Sequence, residues 1–64
     1  MKYPNVKVKL TGSDGNAFAI LTKVKTAMRK AKIPQEEINA FLREAMAGDY
    51  DHLLQVCMNY VDVR

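Results

Sequence analysis

Cys57 and the only histidine, His52, are the side chains that nucleophilic chemistry would pair, because a thiolate needs an imidazole base beside it. Five residues apart on a helix, they stand about 140° around the axis and do not meet. Cys57 falls within an apolar stretch, where a buried thiol is inert. Ser13 lacks a base at local spacing and serves better as a helix cap. Asp49, Asp51 and His52 form the one cluster of metal-ligand types. Two helical aspartates at this spacing point about 200° apart, so they converge only if Asp49 leaves the helix as its cap. No second group of His, Cys or paired acids completes a coordination sphere. These residues predict no catalytic site, no metal site and no cofactor.

Gly12-Ser13-Asp14-Gly15-Asn16 lies between a strand pattern and a helix pattern, where backbone N–H groups can hold an anion. A phosphate loop needs a longer glycine spacing and a Lys-Ser or Lys-Thr pair, and Asp14 would repel phosphate. The motif is better explained by turn glycines and by capping from Ser13, Asp14 or Asn16.

The basic residues are the stronger signal. Net charge is +3. Residues 1–33 hold eight cations against the single acid Asp14, whereas residues 34–64 hold Arg43 and Arg64 against six acids. Such a split marks a basic surface for an anionic partner, or two complementary faces that meet each other. Lys25, Arg29 and Lys32 share a helix flank with Phe18, while Lys23 and Lys30 occupy the other flank. Cations beside an aromatic suit phosphate neutralisation with base stacking, so Lys7, Lys9, Phe18, Lys25, Arg29 and Lys32 are the candidate nucleic-acid contacts. A helix-turn-helix is disfavoured, because Asp49 and Asp51 put negative charge where the reading helix would enter the groove.

The elements that position these residues follow from periodicity. Val6, Val8 and Leu10 alternate with Lys7 and Lys9, which predicts a strand with one buried face. A helix over Asn16–Lys32 gathers Ala17, Ile20, Leu21, Val24, Ala27, Met28 and Ala31 on one arc of about 120°. Pro34 opens a second helix at its first position, Glu36 and Glu37 complement its dipole, and Gly48 closes it as a left-handed residue. Asp49 caps a third helix whose apolar arc spans about 200°, wider than a surface helix requires. Met28, Met46 and Met58 all fall on core-facing arcs. Val61-Asp62-Val63-Arg64 alternates like a strand that could pair with Val6–Leu10, setting Asp62 near Lys7 or Lys9. The predicted fold is a single small α+β domain over residues 1–64, in the order β-α-α-α-β.

A chain of 64 residues buries only about 60% of its unfolded surface. A single cysteine supplies no internal disulfide, and the longest apolar run, Ala17–Leu21, is far short of the ~20 residues that span a bilayer. With no hydrophobic leader, these features predict a cytoplasmic protein without a membrane partner. Marginal core and open strand edges predict a homodimer, with Tyr50, Val56 and Tyr60 on the wide arc as the candidate dimer contacts.

Two stretches, Val8–Phe18 and Ala45–Gln55, resemble a family of small uncharacterised bacterial and phage or plasmid proteins of about this length. The resemblance covers nearly the whole chain. It implies a bacterial or mobile-element origin and assigns no residue a role. The function expected from the sequence is a non-enzymatic interaction or regulatory module with a protein partner or a second copy. Its alternative is a nucleic-acid-binding accessory protein using the first helix and the lysine-bearing strand.

Overall fold

Alternation over the first ten positions buries Val6 and Val8 and leaves Lys7 and Lys9 exposed, forming β1 (Tyr3–Val8). The computed structural model describes residues 1–10 and 16–64. After β1 come α1 (Ala17–Lys30), α2 (Gln35–Ala45), α3 (Tyr50–Tyr60) and β2 (Val61–Val63), which is the expected β-α-α-α-β order. The Gly12–Gly15 part of the proposed capping loop lies outside the described residues. Asn16 is the cap, its side chain accepting from the Phe18 N–H at 2.8 Å.

α1 ends earlier than expected, and by a different device. Lys32 has φ 62°, the left-handed conformation. The Ile33 N–H reaches the Met28 carbonyl at 3.1 Å and the Lys32 N–H reaches Arg29 at 2.9 Å. That bond pair is a Schellman closure, with a lysine where glycine is usual. Pro34 is the cap of α2 and not its first residue; with φ −57° and ψ 144° it offers no side-chain bond.

Gly48 does not close α2 by a left-handed turn. Its φ lies outside the positive range, and a Cβ there would meet His52 Cγ at 2.7 Å and Cβ at 2.8 Å. The His52 ring crosses the glycine to donate from Nε2 to the Glu44 carbonyl at 2.8 Å. Asp49 caps α3 as expected, accepting from the His52 N–H at 2.9 Å.

Val61–Val63 is a strand and pairs with β1 in parallel, with Lys7 opposite Asp62 and Val8 opposite Val63. Parallel pairing needs a long crossover, and the three helices supply it by returning the chain to the start of β1. There the Lys2 N–H bonds the Asn59 carbonyl at 2.8 Å. The register slips between Tyr3 and Lys7, around Pro4, which has no N–H to give to a ladder. Asp62 stands opposite Lys7, but its carboxylate takes Arg64 at 3.2 Å.

Phe41, Met28, Ile38, Val24, Val61 and Cys57 are the largest fully buried side chains, drawn from every element but β1. α3 packs against α2 and α1 and continues directly into β2, which explains its wide apolar arc. Val56 and Tyr60 are 3% and 8% exposed within the single chain, so two of the three expected dimer contacts are spent on the core. Met46 and Met58, expected inside, are 57% and 52% exposed. No helix among the described residues is long and apolar enough to cross a membrane.

Candidate functional site

Lys7 and Lys9 project from the outer face of β1, because Val6 and Val8 take the inner one. α1 packs beside that strand through its buried stripe of Ile20, Leu21, Val24 and Met28, and its exposed Thr22, Lys23, Thr26 and Lys30 border the strand. Between the two elements runs an open groove of about 380 Å³, with Val8 and Ala27 on its floor. That volume is within the ~300–1,000 Å³ range of ligand clefts. No acid lines it among the described residues, and Lys7, Lys9, Lys23 and Lys30 all contribute to its walls. Positive residues on both walls attract an anion that enters the groove.

The backbone under these lysines is also exposed to one side. The Arg64 N–H bonds the Val8 carbonyl at 2.8 Å and the Leu10 N–H bonds the Arg64 carbonyl at 3.0 Å. Backbone groups alternate in direction along a strand, so Lys7 and Lys9 turn theirs away from β2. Consistent with this, the Lys9 carbonyl accepts from Lys23 Nζ on α1, at a long 3.5 Å. Among the described residues β1 pairs with β2 alone.

Only two of the six expected nucleic-acid contacts, Lys7 and Lys9, line this groove. Lys25 and Arg29 are on the other flank with Phe18, and Lys32 lies beyond the end of α1. Positions 23 and 25 of a helix are about 160° apart, so both flanks cannot face one strand. Lys23, Lys30, Thr22 and Thr26 were not expected there. Their signal was present in the small Thr22, Thr26 and Ala27 side chains, which let a strand approach closely.

Phe18, 75% exposed, instead borders a second, apolar groove of about 250 Å³. Leu21, Ala45 and Leu53 line it, with the exposed Met46 and Tyr50 at its rim. Tyr50, 42% exposed, is the one expected dimer contact with surface to offer.

The sequence's other chemical candidates are occupied in other ways. Burial pushes the Cys57 thiol up to about 11, so at neutral pH it is not a nucleophile. Asp49 and His52 are engaged by the cap and by the Glu44 carbonyl. No three metal-ligand side chains gather among the described residues.

A separate polar cluster closes the opposite end of β1. Lys2 Nζ bonds Glu37 at 3.0 Å and lies 5.3 Å from the Tyr60 ring centroid. The Lys2 hydrogen bond holds the Glu37 carboxyl below its usual range and raises the Lys2 ammonium. Tyr60 donates to the Glu44 carboxylate at 2.8 Å, a bond that raises its phenol. Its ring meets Phe41 edge-on at 5.2 Å.

No family model, curated protein or solved structure matches this chain. The resemblance to small uncharacterised bacterial and mobile-element proteins rests on its two stretches of sequence alone.

Proposed function

We propose that this protein is a non-enzymatic interaction module that docks an anionic partner in the β1–α1 groove. One observation carries this reading: Lys7 and Lys9 meet Lys23 and Lys30 around an acid-free groove among the described residues. The test is retention on a polyanionic matrix such as heparin, eluted by salt. Replacing Lys7, Lys9 and Lys30 by glutamine should move elution to markedly lower salt, because each phosphate- or sulfate-paired cation adds to the salt dependence. Unchanged elution would overturn the reading.

The same module forms a homodimer through the apolar groove of Phe18, Met46 and Tyr50. Large apolar side chains bordering a groove are the mark of an interaction surface. A two-fold axis would seat each Phe18 against the other copy's groove and bring Lys25 toward Asp49 and Asp51. Sedimentation over about a hundredfold dilution checks this, since dimer stability follows mass action. Phe18→Ser should give a monomer, and a wild-type chain that is already monomeric throughout would overturn it.

Nucleic-acid binding is the second reading. It is favoured by the five cations between Lys23 and Lys32 with no intervening acid. Salt-dependent affinity for DNA or RNA, lost when Lys25 and Arg29 are neutralised, would select it over a protein partner.

A further inference from the structure

We infer that the partner of the basic groove is an extended peptide with alternating acidic and apolar residues, which adds to β1 as a third strand. This rests on the anionic-partner reading and specifies its chemistry. Three features of the groove lead to it.

The first is the backbone. Arg64, just past β2, bonds Val8 and Leu10, so the Lys7 and Lys9 peptide groups point along the other edge, where the Lys9 carbonyl takes a long 3.5 Å contact from Lys23 Nζ. A phosphate chain uses donors and lone ammonium groups, but it leaves strand carbonyls unserved. A peptide backbone matches both kinds of group, and strand addition is a recurring recognition mode. The second is the alternation of the walls. Outward Lys7 and Lys9 would face acidic side chains of an added strand, while Val8 and Ala27 beneath would face apolar ones.

The third is what the edge rejects. Two copies of this chain pairing β1 against β1 would set lysines opposite lysines, and like charges directly across strands are destabilising. Lysines on an edge strand oppose self-pairing in this way and remain attractive to an acidic strand. A second copy is therefore the wrong occupant here, and an acidic segment of another protein is the right one.

The experiment uses the intact protein and a short capped peptide alternating glutamate and valine. Its comparators are the same peptide N-methylated at every second residue, a block peptide of identical composition, and a single-stranded oligonucleotide. The expected result is binding of the alternating peptide, weakened about tenfold or more by N-methylation, the equivalent of losing one or two net hydrogen bonds. Amide exchange should slow at Lys7 and Lys9, whose N–H groups face the groove. It should change little at Leu10, already bonded to Arg64. Lys7→Glu with Lys9→Glu, both at exposed positions, should abolish binding without unfolding the chain.

If all three peptides bind equally, strand addition is overturned while the anionic-partner reading stands. If none binds and the oligonucleotide does, with Lys7 and Lys9 required, the protein-partner class is overturned as well. If neither peptide nor oligonucleotide is bound and heparin elution ignores the lysines, the groove has no anionic partner and both proposals fall.

Discussion

The two ends of β1 both carry lysines and treat them in opposite ways. Lys2 has an acid, Glu37, at 3.0 Å and two tyrosine rings beneath it, and its end of the strand is tied to α3 through Asn59. Lys7 and Lys9 share their groove with two more lysines and, among the described residues, no acid. At the first end charge is matched inside the chain and closes the fold around Phe41 and Tyr60. At the second, Lys7, Lys9 and Lys30 gather at the surface with no acid lining their groove among the described residues. Exposed positive charge of this kind is available for association.

The largest effect should separate these ends outright. Phe41 is fully buried against Tyr60, so Phe41→Ala should cost about 3–5 kcal/mol, enough to unfold a marginal domain of this size. Lys7→Gln with Lys9→Gln should change stability by no more than about 0.5 kcal/mol, as exposed substitutions do. Chemical denaturation of both variants checks the contrast, and comparable losses would break it.

Next in size is Gly48→Ala, beside the closed corner of α2 and α3. The added methyl would run into His52, which should cost about 1–3 kcal/mol by overpacking. Because the cause is contact and not backbone conformation, and the contact includes the His52 Cβ, Gly48→Ala should cost much less in a His52→Gly background. A double-mutant cycle measures this, and additive losses would return the explanation to the backbone.

A smaller effect of opposite sign is expected on the basic side. Lys32 holds a left-handed conformation that glycine adopts without strain, so Lys32→Gly should raise stability by about 0.5–1 kcal/mol, net of glycine's entropy cost. In a chain this short the melting temperature should rise by several degrees.

The smallest effect is in the pH profile, and it belongs to the closed end. Glu37 has a lowered folded pKa, so its contribution is present above the unfolded carboxylate value of about 4.3 and is lost as pH falls through the folded value. Tyr60 has a raised one, so its contribution is present below about 10 and is lost as pH climbs through the folded value. Glu37→Gln should flatten the acid limb of a stability-versus-pH curve, and Tyr60→Phe the alkaline limb.

The element order was legible in the residues because its determinants are local. Two-residue alternation made β1, apolar spacing made the helices, and Asn16 and Asp49 capped where caps were expected. The same locality misled at the helix ends. Gly48 has the composition of a left-handed closure, yet the residue in that conformation is Lys32, and Gly48 is required by a side chain four positions away. Val56 and Tyr60 read as surplus apolar surface because nothing in their own helix shows how many neighbours it will have.

What the sequence determined by itself was the set of elements, most of the buried stripe of each and the unequal division of charge, all properties of short segments. Only the tertiary structure decided which flank of α1 faces β1, and with it whether Lys23 and Lys30 or Lys25 and Arg29 join Lys7 and Lys9. It also decided that β1 and β2 run parallel and that β1 keeps one edge toward the groove. The reason is that a helix with cations on both flanks has no local preference for either. The choice was made by side-chain packing around Met28, Val24 and Val8, from residues far apart in the chain.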